Sequence, residues 1–180
     1  MRNRISSLLV FLGVICLLYG SYLAYLRYAP GKLAFASYPA ESSVEYSVEH
    51  AAPTQLHIPS IEVNLPVVPS TITGNRWETS NTGVSHLSLS PVPGEKGNSI
   101  LYGHNWAYLL GNLHKIEPGE TIQITFSDNT AKSFIVEYTR IVNPDEVEVI
   151  EQTDDIRITL YTCTGFLDLK RFVVVAKLQS

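Results

Sequence analysis

Hydrophobic positions divide the chain into two unequal parts. From Ile5 to Leu26 the sequence ISSLLVFLGVICLLYGSYLAYL contains 22 residues and no charge. A helix of about 20 mainly apolar residues is long enough to cross a bilayer core. The pattern therefore predicts an N-terminal transmembrane helix over residues 1–27. The alternative is a cleaved signal peptide, whose apolar core is usually shorter, at about 7–15 residues.

Beyond a linker rich in Ser, Ala, Glu and Tyr (28–53), apolar and polar residues alternate with the period of a β-strand. In ETIQITFS, for example, Ile122, Ile124 and Phe126 share one face. Similar segments are QLHIPSIEVNLPVV, NSILYGH, KSFIVEYTRIV, VEVI, IRITLYTC and FVVVAKL. Seven or eight short strands separated by Gly and Pro turns predict a mainly β barrel or sandwich over residues 54–180, with a short helix near Asn105–Leu113.

The charges around and after the apolar segment indicate orientation and exclude one class of partner. Arg2 and Arg4 precede the segment and Arg27 and Lys32 follow it, so the positive-inside rule only weakly favours an inside N-terminus. Residues 33–180 contain nine Lys and Arg against 17 Asp and Glu, a formal balance of −8. Nucleic acid is not an expected partner, because phosphate binding needs a basic surface.

The positions of the two cysteines leave one thiol as a candidate for reactivity. Cys16 lies inside the apolar segment, so Cys163 is alone in the remainder of the chain and has no partner for a disulfide there. An unpaired cysteine in an exported domain indicates an intermolecular bridge or a reactive thiol, and a buried inert cysteine is the alternative.

Strand periodicity predicts where this thiol points. In RITLYTC, Cys163 has the opposite parity to the aliphatic residues Ile158 and Leu160. In RFVVVAKL, Arg171 has the opposite parity to the apolar set that contains Phe172 and Val174. We therefore expect Cys163 and Arg171 to face outward or into a cleft, provided that no bulge intervenes.

A catalytic thiol needs a base. Among the five histidines, His86 and His104 remain candidates, and His104 ends an apolar strand directly after Gly103, which leaves room for a close neighbour. A structural histidine is the alternative for either. A Cys–His pair can perform acyl transfer. The guanidinium of an arginine can present several N–H hydrogen-bond donors to the substrate or to an oxyanion.

These residues together resemble the sortase family of membrane-anchored cysteine transpeptidases. TLYTC matches the family pattern T-L-x-T-C, and Arg171 then opens the last strand. LHIPSIEVNLPVV resembles the first-strand signature, PVPGEKGNSILYGHN the segment that ends in Gly-His, and LHKIEPGETIQI a later family segment. The resemblance extends from about Leu56 to Leu178.

The resemblance implies a closed eight-stranded β-barrel with short helices behind the N-terminal helix. Cys163 would be the nucleophile, His104 the general acid/base, Arg171 the substrate and oxyanion support, and Thr162 a further contact to substrate or oxyanion. The implied activity is cleavage of an L-P-x-T-G-like sorting signal after Thr, through a thioacyl-enzyme, and transfer to an amine acceptor of the cell envelope. The implied partners are surface proteins or pilins carrying that signal, and no cofactor is required.

Further details of the sequence suggest a subtype. Only seven residues separate Cys163 from Arg171, and no apolar helix follows Leu178. We therefore expect a housekeeping-like or small accessory sortase with one N-terminal anchor and its catalytic domain on the extracellular face. A blocking lid is not evident, although the linker could contain one.

Calcium is the one cofactor that the resemblance leaves open. NPDEVEVIEQTDD carries six acidic residues, whose carboxylates are oxygen ligands suited to calcium. We expect Glu146 and Glu148 to share one strand face, and Asp154 and Asp155 to form a turn. A solvated acidic edge is the alternative reading of this segment. Zinc is not expected, because the sequence has no closely spaced Cys/His set.

Two other functions are compatible with parts of the pattern. One is a membrane-tethered β-barrel binding module of sortase descent without transpeptidase activity. The other is a different cysteine hydrolase, such as a wall peptidase. That class usually places Cys near the start of a helix and before the His, whereas here His104 precedes Cys163 and Cys163 ends a strand.

Overall fold

The computed structural model describes residues 2–28, 32–36, 51–73 and 76–179. The chain begins with a long helix, α1 (Arg2–Tyr28). Within it, residues Ser7–Tyr25 have a mean hydropathy of 2.1, and none of them is buried inside the protein. Among the described residues, α1 is the one helix long and apolar enough to cross a membrane.

Ten strands follow in the described part of the chain. Their bounds are β1 (Pro53–Ile58), β2 (Val63–Ser70), β3 (Ile72–Thr73), β4 (Arg76–Trp77), β5 (Val84–Leu87), β6 (Gly97–Gly103), β7 (Thr121–Phe126), β8 (Ala131–Val142), β9 (Ile156–Thr164) and β10 (Lys170–Leu178). Short 3₁₀ helices cover Pro59–Ile61, Leu113–Lys115, Val147–Ile150 and Phe166–Asp168.

Eight of these strands close into a barrel in the order β1-β2-β5-β6-β9-β10-β8-β7, and β3 and β4 form a separate small hairpin. The predicted closed eight-stranded barrel is therefore confirmed. Side-chain alternation fills its interior: Ile122, Ile124 and Phe126 of β7 point inward, as the sequence pattern predicts, and the intervening residues are only partly buried.

The strands β6, β9 and β10 differ from β7 because both of their faces are covered. Their inward residues, such as Leu160 and Val174, belong to the barrel core. Their outward residues, such as Tyr102, Tyr161 and Val173, form a second apolar cluster outside the barrel wall. Strands buried on both faces are nearly continuous apolar runs, and all seven residues of β6 are buried.

A short piece of the predicted linker contributes to that outer cluster. Most of residues 28–53 lies outside the described residues, but residues 32–36, which we call the strap, are described. Leu33 and Phe35 are buried in the outer cluster, and Ala36 N donates to Pro144 O at 2.8 Å. The strap therefore lies on the outer face of the barrel wall.

Two local predictions differ from the structure. VEVI is a 3₁₀ helix rather than a strand, because this tight turn lets Val149 and Ile150 bury their side chains against the outer cluster. The segment near Asn105–Leu113 forms turns before the 3₁₀ helix that starts at Leu113. Gly111 N there donates to Trp106 O at 2.9 Å, and the close approach leaves no space for a Cβ at Gly111.

Burial in the barrel core indicates how much stability is lost when a core side chain is truncated. Leu160 is fully buried in β9, so Leu160→Ala should lower the free energy of unfolding by about 2–5 kcal/mol. Ile141→Ala removes a comparable side chain that is 56% exposed on β8 and should change it far less. Denaturant titration of the detergent-solubilised chain measures both, and equal losses would contradict the assignment of Leu160 to the core.

Candidate active site

Three neighbouring strand ends bring the predicted catalytic residues together. β6 runs parallel to β9 and ends with Gly103 paired to Thr162, so His104 leaves the sheet beside Cys163. β10 runs antiparallel to β9 and places Arg171 directly opposite Cys163. Cys163 lies in the outer cluster and not in the barrel core, so its predicted parity is correct.

The Cys163 thiol is covered rather than open to solvent. Only 6% of the residue is exposed, and Sγ donates to Lys32 O of the strap at 3.4 Å. Burial raises the pKa of the thiol from 9.0 to about 11, partly opposed by the positive charge of Arg171. At neutral pH the thiol is therefore protonated in this state.

His104 is half-buried at the end of β6. Its ring stacks on Trp106 with centroids 4.3 Å apart and planes 9° apart. Burial lowers the pKa of the imidazole, so the ring is neutral at neutral pH. A Cβ at Gly103 would lie 3.1 Å from Leu110 Cδ1, so the glycine allows a core leucine to approach the strand end. The described hydrogen bond of the Cys163 thiol goes to Lys32 O of the strap, and the described residues show no hydrogen bond between Cys163 and His104.

Arg171 is 4% exposed, and its described hydrogen-bond partners are all carbonyl oxygens. Nη1 donates to Asp168 O at 3.3 Å and Lys170 O at 3.1 Å, and Nη2 donates to Ala34 O at 3.0 Å. The buried Nε–H has no hydrogen-bond partner among the described residues. The guanidinium thus retains donor capacity and positive charge next to the thiol, which suits a developing oxyanion.

Thr162 lies on the opposite face of β9 from Cys163. Its hydroxyl donates to Gly103 O at 2.7 Å, which joins β9 to β6 immediately before His104. This geometry favours a positioning role for the hydroxyl, and the contact to substrate or oxyanion stays a prediction.

Asn105, which follows β6, and Asp168, in the turn between β9 and β10, are two residues near the site that the sequence motifs did not indicate. Asn105 Nδ2 donates to the Asp168 carboxylate at 2.7 Å and so links the His104 segment to this turn. Leu167 and Asp168 have positive φ angles, 51° and 60°, which non-glycine residues rarely adopt. No local sequence pattern predicts the contact between Asn105 and Asp168, because it depends on how two strands distant in sequence are arranged in the fold.

The strap covers the site with three consecutive carbonyls. Lys32 O accepts from Cys163, Leu33 O accepts from the Tyr161 hydroxyl at 2.9 Å, and Ala34 O accepts from Arg171. Phe35 packs edge-on against Tyr161 with ring centroids 5.0 Å apart, and Lys32 Nζ donates to Leu167 O. The signal in the sequence was the pair Leu33 and Phe35, two apolar residues spaced like a strand in a mostly polar linker.

Acidic side chains of segment 143–155 form hydrogen bonds and ion pairs with neighbouring residues. Glu146 accepts from Arg140 and Asn143, and Arg157 pairs with Asp155, whose carboxyl pKa it lowers. Glu148 lies in the 3₁₀ helix, so the expected common strand face with Glu146 is wrong. Within the described ranges, no group of three or more His, Cys, Asp or Glu side chains could hold a metal ion.

Sequence comparisons place this chain among known proteins. A family profile described as the sortase domain matches residues 56–179. A Sortase A from Listeria monocytogenes is 36% identical over 127 residues, covering 68% of this chain and 54% of the relative. A Sortase A from Bacillus anthracis is 31% identical over 128 residues, covering 69% and 58%. The chain thus spans somewhat more than half the length of these curated relatives.

Solved structures show the same architecture. Sortase A from Corynebacterium diphtheriae superposes with a TM-score of 0.63 at 26% identity, covering 73% of this chain and 62% of that one. A Listeria monocytogenes sortase A structure gives 0.57 at 30% identity, covering 73% and 89%.

The contacts of the strap predict that its release exposes the thiol. In a Cys16→Ser background, Phe35→Ser should raise the rate of Cys163 alkylation at pH 8 by at least about tenfold, because the strap loses its ring contacts and the thiol regains water. Stopped-flow or mass-spectrometric alkylation with a small reagent measures this rate. Ala36→Ser is the matched control, since Ala36 is exposed in the same strap.

The pH dependence of that rate provides a second prediction. With the strap in place, reactivity should rise towards a midpoint near pH 11, because the thiolate forms only above the raised pKa. In Phe35→Ser the midpoint should fall towards 9.0, because desolvation is the main cause of the shift. Identical profiles in the two proteins would show that the strap does not control the thiol.

Proposed function

The chain belongs to the sortase family, and from that premise we propose that it is a cysteine transpeptidase that cleaves an L-P-x-T-G-like sorting signal and transfers the acyl part to an amine. One observation carries the proposal. The pairing of β9 with both β6 and β10 brings the strand ends next to Cys163, His104 and Arg171 side by side, which supports the roles of nucleophile, base and cationic support that we propose for them.

The first half of the reaction follows from these groups. When the strap leaves, the Cys163 thiol can transfer its proton to the neutral His104 imidazole. The thiolate sulfur attacks the carbonyl carbon of the Thr–Gly bond, and its electron pair forms the new C–S bond. The imidazolium then protonates the departing glycine amine, which leaves a thioester on Cys163.

The second half reverses the proton flow. An acceptor amine attacks the thioester carbonyl, His104 takes the proton that the amine loses, and the thiolate leaves and is reprotonated. A new amide bond forms and the enzyme is regenerated with no net oxidation or reduction. Arg171 supports both tetrahedral states, because its buried guanidinium lies across the strand pair from Cys163 and its Nε–H lacks a described partner.

The location follows from α1 and from the family, whose members act at the cell envelope. We propose a single-pass membrane protein with its barrel on the extracellular face, where surface proteins or pilins and an envelope amine acceptor would meet it. Lys32 follows the end of α1 at Tyr28 by four residues, which span at most about 14 Å. With the strap in place, the site is thus close to the membrane surface.

A covalent adduct tests this proposal. Incubated with an L-P-x-T-G peptide, the Phe35→Ser chain should gain the mass of the acyl fragment on Cys163, and Cys163→Ala should show no adduct. His104→Gln and Arg171→Lys should each lower the rate of adduct formation by at least about a hundredfold. The first substitution removes the general acid/base, and the second removes the bidentate guanidinium donor. Intact-protein mass spectrometry gives each rate.

His57→Gln is the matched control, since His57 lies on β1 and pairs with β2 and β7, away from the three strand ends. A folded chain whose thiol alkylates readily but never forms the adduct would overturn the transpeptidase proposal. That outcome would favour the binding module without transpeptidase activity.

A further inference from the structure

The strap reveals a hydrogen-bond donor to which the motif assigns no role. Three successive strap carbonyls, those of Lys32, Leu33 and Ala34, each accept one bond from the outer face of the barrel. Two of the donors, Cys163 and Arg171, are the groups proposed to act on substrate. The third is the hydroxyl of Tyr161, which occupies the variable position of T-L-x-T-C.

Tyr161 is held rigidly for this contact. Its ring is fully buried and stacks on Tyr102 with centroids 5.4 Å and planes 15° apart, while Phe35 and Trp77 meet it edge-on. Tyr161 has the same parity as Cys163 and precedes it by two residues, a rise of about 7 Å along the strand. Its hydroxyl therefore lies within one or two peptide units of the thiol along any chain bound there.

Departure of the strap leaves this hydroxyl in need of an acceptor. Its one described hydrogen-bond partner is Leu33 O, and a hydroxyl that stays buried without an acceptor is unfavourable. A ligand that replaces the strap therefore binds best when it offers a carbonyl at the same point. An extended peptide carries one such carbonyl per residue.

We propose that Tyr161 is a substrate-binding residue whose hydroxyl donates to a backbone carbonyl of the sorting peptide close to the scissile bond, in the place that Leu33 O occupies in the strap. This inference rests on the proposed transpeptidase function. Because the bond involves the peptide backbone, it contributes affinity for the bound chain without selecting a side chain. The strap and the peptide then compete for one set of donors.

Binding to an unreactive protein tests the proposal without turnover. In the full chain carrying Cys163→Ala and Phe35→Ser, adding Tyr161→Phe should weaken binding of a fluorescent L-P-x-T-G peptide by about threefold to tenfold, as expected for one lost hydrogen bond. Fluorescence anisotropy gives the dissociation constant.

Tyr102→Phe is the matched control, because Tyr102 is an equally buried residue whose hydroxyl is engaged with Ser70 and Glu78 O and not with the strap. Equal affinity with and without the Tyr161 hydroxyl, or no peptide binding at all, would overturn the proposal. An equal loss with Tyr102→Phe would show a general disturbance of the aromatic stack instead, and would also overturn it.

Two further readouts separate this inference from the proposed function. In the Phe35→Ser chain with Cys163 intact, Tyr161→Phe should raise KM by about the same factor and leave kcat within about twofold. If thioester forms with an unchanged KM, the Tyr161 inference fails and the transpeptidase stands. If no thioester forms but binding depends on the hydroxyl, the transpeptidase fails and the peptide contact stands.

Discussion

The site depends on the double pairing of β9, which is parallel to β6 on one side and antiparallel to β10 on the other. These two registers bring His104, which is distant in sequence, to the same end of three adjacent strands as Cys163 and Arg171. A shift of one residue would turn Cys163 towards the barrel interior. The register is specified because both faces of these strands are buried, with Leu160 inside the barrel and Tyr161 outside it.

Coverage by the strap accounts for the protonated, solvent-shielded thiol of the site. By covering Cys163 the strap removes water from the thiol, and burial raises the pKa of that thiol, so that it is protonated at neutral pH. Burial of His104 separately lowers the pKa of the imidazole. The contacts of the strap also satisfy donors on Tyr161 and Arg171 that an incoming chain would otherwise find free. In the proposed mechanism, inhibition and substrate binding are two uses of one row of donors, and the difference between them is which chain supplies the carbonyls.

The sequence predicts those parts of the structure that have a periodic side-chain pattern or belong to a motif. Alternation in β9 and β10 correctly separated Leu160 and Val174 from Cys163 and Arg171, because a strand has an invariant period of two. It failed for VEVI, whose β-branched residues are buried by a 3₁₀ turn. It also missed the coverage of Cys163, because that depends on contacts with residues more than 100 positions away in the chain.

The most direct measurement is a structure of the full chain bound covalently to a sorting-signal peptide that carries a thiol-reactive group at its scissile position. We expect a peptide bonded to Cys163 beside His104 and Arg171, with peptide carbonyls on Tyr161 and Arg171 and the strap displaced from the outer face. A bound peptide that leaves the bonds from Tyr161 to Leu33 O and from Arg171 to Ala34 O intact would refute the proposed competition between strap and peptide.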